Sequence, residues 1–352
     1  MSPRIFLGWM VVTAVTVVLA VFVVLDRPTA KFDPVSREPV FEALRSNPDA
    51  AAKIEINSRF GSFSMVRADD VWTTPDRFGY TIDTNDVRRL IVSVSDMRYI
   101  ERKTSLPERF ERLEVDDVDG INAESAYVKI SDAAGKVLAE AIVGRPSARF
   151  IDGSVSGTYI REPGTNNVWL VSGITNVQTR LVPWLQRNIV SLPANTVARV
   201  ELGSSDRSIV LSRETPDSDN FVLADAPEGR ALNKRKITSI SRALADIGLE
   251  DIKPKSDLTL PGDALTAIVT TFDGLAVSVR MAEVDSKNWG TFEAAYTGDS
   301  ADQSDTAKAA RASVEKINQR VGNWVYWLPS AAFENLTAKL EDVLEAKKDK
   351  GS

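Results

Sequence analysis

The sequence predicts an α+β fold in which an N-terminal transmembrane helix precedes two similar β-rich units in tandem. Three observations lead to this prediction: an uncharged run of 20 residues near the N-terminus, several segments that alternate apolar and polar residues, and the recurrence of the same order of segments 146 residues later. The 352 residues suffice for two domains. A composition of 43% hydrophobic and 26% charged residues is typical of a folded globular body.

The uncharged run covers residues 6–25, and a helix of about 20 apolar residues crosses the hydrocarbon of a bilayer. Arg4 lies before the run, whereas Asp26 and Arg27 cancel after it, so the positive-inside bias places residues 1–5 in the cytoplasm. A signal peptide cleaved after Ala20 is the alternative, but the run is longer than the ~7–15 apolar residues of such peptides. We therefore expect an uncleaved anchor in the bacterial inner membrane, with the bulk of the chain periplasmic.

Residues 26–50 are expected to form a tether and a lead-in helix, because three prolines are interspersed with charges. The first α+β unit then covers residues 51–190. Its strands alternate with period two, and apolar residues at helical spacing predict an amphipathic helix capped by Thr84 or Asn85. The predicted strands and hairpin lie at 52–56, 62–66, 71–72, 127–130, 137–143 and 168–172.

The second unit covers residues 191–347 and repeats this order, starting with a strand at 198–202. Ile237, Ile240, Leu244 and Ile247 predict the equivalent helix after Asn233. The pair Asp273-Gly274 predicts a tight hairpin. Two additional helices are expected at 304–321 and 331–347, and residues 348–352 are assigned to a tail. Ordered matches between the two segments indicate an internal duplication.

Composition excludes several classes of chemistry. The chain has no histidine and no cysteine, which excludes a Ser-His-Asp triad, a Cys-His dyad and zinc sites built on either residue. The net charge of −6 argues against nucleic acid as a partner, and no phosphate-binding glycine motif occurs. We therefore predict no catalytic residue, no cofactor, no metal site and no enzymatic activity.

The acidic segment 116–120 superficially matches a calcium-binding loop. In such a loop the first position is acidic and the twelfth is glutamate, but here these positions are Val115 and Ala126. We interpret the segment as an acidic surface turn.

Two of the seven tryptophans, Trp289 and Trp324, lie near predicted loops and are the candidate residues of an interaction surface. Exposed aromatic side chains often mark such surfaces or bind sugars. Burial in the core is the alternative for both.

One stretch of the sequence is similar to the signature of a bacterial family. It is Leu181-Val-Pro-Trp-Leu-Gln-Arg-Asn-Ile-Val-Ser-Leu192, followed by 197–202, and it is accompanied by Val71-Trp72 and the helix entry at 80–87. The family comprises membrane-anchored proteins built on a domain of unknown function, and many members are encoded beside gliding-type ABC-2 exporter components. The resemblance covers most of residues 50–300. It implies an accessory role next to a transporter and transfers no functional residue.

These observations leave three hypotheses about function. The first is a non-catalytic extracytoplasmic accessory subunit of an envelope membrane complex, associated with an ABC-2 type transporter through an integral-membrane partner such as its permease. The second is a binding module for an envelope polymer. The third is a carboxylate-dependent hydrolase, whose cleft would contain two converging carboxylates.

Overall fold

Two large antiparallel sheets form the framework of the protein. The computed structural model describes residues 38–151, 155–173, 175–203, 208–218 and 220–345. Its strands are β1 Ala51–Ser58, β2 Gly61–Ala68, β3 Val71–Thr74, β4 Tyr80–Thr81, β5 Tyr99–Thr104, β6 Ala126–Asp132, β7 Val137–Ile151, β8 Val155–Arg161, β9 Val168–Ser172, β10 Asn188–Val190, β11 Val197–Leu202, β12 Ile209–Ser212, β13 Val222–Leu223, β14 Ile247–Gly248, β15 Asp251–Pro254, β16 Leu265–Thr271, β17 Leu275–Val284, β18 Lys287–Tyr296 and β19 Trp324–Trp327.

The first sheet has the strand order β4-β3-β2-β1-β6-β7-β8-β9-β5, and every pair in it is antiparallel. Its strands form because alternate residues are apolar, which buries one face of the pleat. In β1 the buried side chains are Ile54 and Ile56, whereas the intervening Glu55 pairs with Lys53 at 2.9 Å.

The second sheet has the order β13-β12-β11-β16-β17-β18-β19-β15, which matches the first sheet strand for strand except that β4 has no counterpart. The two sheets also share an irregularity. The ladder between β1 and β6 shifts register between Ala51 and Lys53, and the ladder between β11 and β16 shifts between Val197 and Arg199, which are the equivalent positions. Glu201 pairs with Arg199 at 2.8 Å, as Glu55 does with Lys53.

The helices are α1 Glu42–Ser46, α2 Thr84–Ser95, α3 Phe110–Leu113, α4 Lys234–Ser241, α5 Asp305–Val321 and α6 Ser330–Leu336. Local capping sets their starts, because a side-chain oxygen accepts a hydrogen bond from an otherwise unpaired backbone N–H. Asn233 caps α4, as the sequence predicted, and Ser304 caps α5. The cap of α2 is Asp83, one residue before the expected Thr84.

The last helix is shorter than predicted. The sequence favours one helix over 331–347, but α6 ends at Leu336, where the Thr337 hydroxyl donates to the Phe333 carbonyl at 2.7 Å. A separate 3-10 turn follows at Leu340–Val343. After this turn, Leu344 forms a backbone bridge with Leu232, a contact between residues distant in sequence.

The predicted α+β class was wrong. Antiparallel sheets dominate the structure, and the helices are accessories to them rather than a separate layer. Helical and strand periodicities are both clear in the sequence, but periodicity does not show how many strands join one continuous sheet. Within the residues that the structure describes, no helix is long and apolar enough to cross a membrane. The predicted span, 6–25, lies outside those residues.

One continuous hydrophobic core contains side chains from both sheets and from the residues between them. It includes Ile56 and Leu90 of the first half, Trp184 of the connection, and Val200 and Tyr326 of the second half. The predicted boundary between residues 190 and 191 falls at the end of β10, which pairs with β14.

Candidate functional site

Residues 181–190, named here the strap, form backbone hydrogen bonds to β4 of the first sheet and to β14, a strand outside both large sheets that leads into β15 of the second. On one side, Leu185 bridges with Ile82. On the other side, β10 of the strap pairs with β14. Three further bonds fix the strap, namely Asp83 N–H to Trp184 O at 2.8 Å, Gln186 N–H to Thr81 O at 2.9 Å and Leu249 N–H to Arg187 O at 3.0 Å. The strap therefore holds the two sheets in a fixed arrangement, because its backbone is committed on both sides.

Aromatic side chains fill the junction beside the strap. The ring of Tyr80 meets that of Trp324 edge to face at 5.1 Å between centroids, a favoured geometry. The Tyr80 hydroxyl donates to Gln186 O at 3.1 Å. Burial raises the pKa of Tyr80 to about 12, because the phenolate is poorly solvated there. Neighbours such as Arg320 lower the pKa by a smaller amount. Burial likewise raises the pKa of Tyr326.

The two tryptophans selected from the sequence lie on opposite faces of the second sheet. Trp289 is 3% exposed and packs with Leu260 and Val325, and Lys253 Nζ lies 5.2 Å from its ring centroid. Trp324 is partly buried against the main core. The structure therefore does not bring the two residues together, and the ring of Trp289 is not part of the protein surface. An interaction role for Trp324 stays a prediction.

A groove of about 680 Å³ lies beside α2. We name it the α2 groove. Its lining combines four apolar residues with seven polar or charged ones. The lining residues are Asp86, Arg88, Arg89, Leu90, Val92, Ser93, Thr175, Asn176, Gln178, Pro183 and Trp184. Its volume lies within the ~300–1,000 Å³ of known binding sites.

The sequence reasoning missed this groove. The sequence predicts the apolar stripe of α2 but assigns no role to the opposite face of the helix. The available signal was Val92, an apolar residue on the polar face of the helix, which is 47% exposed.

The polar groups of the groove are unequally satisfied. Arg89 forms an ion pair with Asp86, one turn away on the helix. Arg88 is exposed and has no hydrogen bond or ion pair with the residues that the structure describes. The hydroxyl of Thr175, a residue only 3% exposed, is buried without a partner among the described residues. Since buried polar groups are normally paired, the Thr175 hydroxyl is a group that a ligand can satisfy, and the exposed Arg88 can form an ion pair with an acidic one.

A second, smaller recess of about 310 Å³ contains three carboxylates, those of Glu42, Glu140 and Glu162. Two of them accept hydrogen bonds from tyrosines: Tyr127 donates to Glu140 at 2.6 Å and Tyr99 donates to Glu162 at 3.4 Å. Burial, and then the adjacent carboxylate, raises the pKa of each tyrosine. Across the described residues, no group of three or more acidic side chains is placed to hold a metal ion.

Comparison with family models identifies one match, to a domain of unknown function named DUF4340, over residues 72–262. This is more than half of the chain. The chain belongs to the DUF4340 family. The match starts in β3 and ends beyond β15, so the DUF4340 region contains the strap, both of its partner segments and α2. It therefore confirms the expected membership of a family built on a domain of unknown function. No curated protein and no solved structure gave a significant match.

Proposed function

We propose that this DUF4340 protein is a non-catalytic accessory subunit of a bacterial membrane complex, located on the extracytoplasmic side and bound to an ABC-2 type transporter. The observation that carries the proposal is the α2 groove, an open recess whose lining includes four apolar residues, an arginine without a partner among the described residues, and a single carboxylate. Such a lining suits the binding of another protein, whose apolar side chains it can bury.

The lining of the α2 groove does not support hydrolysis. Hydrolysis by two carboxylates needs an acid and a base on either side of the scissile bond. Asp86 is the one carboxylate of the groove, and it is paired with Arg89.

Rigidity also supports a binding role. A surface that is already ordered loses less conformational entropy when its partner docks. The α2 groove is bounded by Trp184 of the strap, whose backbone carbonyl accepts from Asp83 and whose indole N–H donates to Gln178 O at 2.8 Å. The wall of the groove is thus fixed before any partner binds.

The location and the transporter have separate support. The extracytoplasmic side is proposed from the uncharged run 6–25 and from the absence of cysteine, which suits an oxidising compartment. The transporter is proposed from the resemblance of residues 181–192 to proteins that are encoded beside exporter components.

The proposal is tested by purifying the tagged full-length chain in a mild detergent and identifying the bound proteins by mass spectrometry. We expect an ABC permease and its ATPase in amounts comparable to the chain, and their absence from an untagged strain. A purified chain without partners would overturn the proposal. Digestion of the chain by protease in spheroplasts, but not in intact cells, is the expected result for the location.

Binding of an envelope polymer is the second candidate, and the surface around Phe60 favours it. The ring of Phe60 is 50% exposed and lies between Arg59 and Arg180, whose guanidinium carbons are 4.8 and 4.5 Å from its centroid. An aromatic ring flanked by cations suits an anionic sugar polymer. If this candidate is correct, Phe60→Ala weakens co-sedimentation of the chain with purified cell-wall polymer, whereas unchanged co-sedimentation excludes it.

A further inference from the structure

The closing segment of the second sheet occupies the same place as the strap does in the first sheet. In the first sheet a 3-10 turn at Val182–Trp184 leads into Leu185, which bridges with Ile82 just before α2. In the second sheet the turn at Leu340–Val343 leads into Leu344, which bridges with Leu232 just before α4.

The hydrogen bonds around these two bridges are also equivalent. The N-cap residue of each helix donates its N–H to the last residue of the turn: Asp83 to Trp184 O at 2.8 Å, and Asn233 to Val343 O at 2.9 Å. The residue after each bridging leucine donates back: Gln186 to Thr81 O at 2.9 Å, and Glu345 to Ala231 O at 2.8 Å. The surroundings of α2 and α4 can therefore be compared position by position.

The comparison shows one large difference. In the second sheet, α6 lies between β19 and the turn, and it packs on α4. Lys236 Nζ of α4 donates to Asn335 Oδ1 at 2.9 Å and to Glu334 O at 3.2 Å. Leu336 of α6 is fully buried in the main core. In the first sheet, the described residues between β9 and the turn form no helix.

The α2 groove lies where this helix is missing. Asp86 stands three residues after the N-cap of α2, which is the position of Lys236 in α4, and Asp86 lines the groove. Thr175 and Gln178, from the helix-free connection, line its other side. The first sheet therefore leaves Asp86 open to the groove, whereas α6 binds Lys236 at the equivalent position of the second sheet.

We infer that the α2 groove binds a short amphipathic helix of the membrane partner, in the position that α6 holds on α4. This inference rests on the proposed function and names the surface that performs it. Helix-in-groove binding uses apolar residues on one face of the incoming helix. The internal example is α6, in which Phe333 and Leu336 stand three residues apart and pack on the core.

The charges and the free polar groups of the groove define the partner further. Arg88 has no partner among the described residues, so an acidic side chain beside the apolar pair would be attracted to it. Val92 is 47% exposed and offers apolar surface to the same helix. We expect a partner helix with apolar residues at a spacing of three or four and an acidic residue next to them.

Site-specific photocrosslinking of the full-length chain in its native membrane tests this inference. A photoreactive benzoylphenylalanine replaces Val92 in the groove. In a matched control it replaces Arg242, the C-cap residue of α4, which stands nine residues after the N-cap of α4 as Val92 does after that of α2. We expect a crosslink to a membrane protein from position 92 and not from position 242. Mass spectrometry should locate it in a helical segment with the pattern given above.

Several results would overturn the inference: equal crosslinking from both positions, no crosslink from position 92, or a crosslink there to a second copy, to residues 1–37 of the same chain, to lipid or to polymer. If the permease co-purifies with the chain but position 92 gives no crosslink, the groove is refuted and the proposed function stands. If no partner co-purifies, the proposed function fails and the inference falls with it.

Charge reversal provides an independent measurement. Arg88→Glu should reduce recovery of the partner about tenfold, which corresponds to ~1.4 kcal/mol, whereas Arg88→Lys and the control Arg242→Glu should leave recovery unchanged. Arg88 is exposed, so these variants keep the thermal stability of the chain. Unchanged recovery with Arg88→Glu would contradict the role of this residue.

Discussion

Shortening Leu185 to alanine tests whether the strap holds the two sheets together. The side chain is 1% exposed and lies in the main core. Removing three carbon atoms costs ~0.8 kcal/mol each in transfer free energy, about 2.4 kcal/mol in all. The unfilled cavity raises the cost into the range of ~3–4 kcal/mol that buried leucines show. We therefore expect Leu185→Ala to lower the free energy of unfolding by about 3 kcal/mol.

The measurement is urea unfolding of the purified chain followed by circular dichroism, together with hydrogen exchange of individual amides. We expect faster exchange of the amides of Asp83, Gln186 and Leu249, since these N–H groups bond to or from the strap. The matched control is Leu344→Ala, a 4% exposed leucine at the equivalent place of the second sheet. It should cost a similar free energy and leave exchange of the strap amides unchanged.

Two results would refute the reasoning. One is a loss below about 1 kcal/mol for Leu185→Ala, which would mean that the strap is dispensable for packing. The other is unchanged exchange of the strap amides in that variant, which would mean that the sheets are held together elsewhere.

Three further predictions concern residues outside the strap. Arg213→Met should lower the free energy of unfolding by about 3–5 kcal/mol, because the buried guanidinium donates to four backbone carbonyls. Arg67→Met, at the equivalent position of the first sheet, loses one such bond and should cost below about 1 kcal/mol. Equal losses of the two variants in urea unfolding would contradict this. The pKa of Tyr80 is about 12 in the folded chain and near 10 in the unfolded chain. The contribution of Tyr80 to the free energy of unfolding is therefore complete below pH 10, and ~2–3 kcal/mol of it is lost as the pH rises to 12. Tyr80→Phe should therefore flatten the fall of unfolding free energy with pH, and an unchanged slope would contradict burial of the hydroxyl. Trp289→Ala should cost about 3–5 kcal/mol in urea unfolding, as a core tryptophan does, whereas a cost below about 0.5 kcal/mol would mean that the ring is exposed.

Local signals in the sequence located several elements well. Ser304 caps α5 and Asn233 caps α4 because each side chain bonds to a backbone N–H two or three residues later. The hairpin at Asp273-Gly274 forms because Gly274 adopts a φ of +84° at no steric cost. These interactions lie within a few residues of sequence, so the sequence itself reports them.

Other features depend on contacts that sequence distance conceals. Periodicity identified strands and helices but misjudged the fold class, because the joining of nine and eight strands into two sheets is a matter of long-range pairing. Trp289 was a candidate surface residue, yet Leu260 and Val325 cover it. The predicted last helix was too long: it ends at Leu336, and Leu344, eight residues later, pairs with Leu232 across a long sequence distance.

The sequence by itself determined the absence of histidine and cysteine chemistry, the alternation that makes strands, and the caps that start the helices, because these follow from composition and from neighbouring residues. Only the tertiary structure decided where a binding surface lies. The α2 groove exists because the chain between β9 and the strap forms no helix in its described part, whereas the equivalent connection after β19 forms α6. The chain between β9 and the strap lies more than 75 residues after α2 begins. An open site created by a missing element has no local signature, since it depends on what the rest of the fold leaves uncovered.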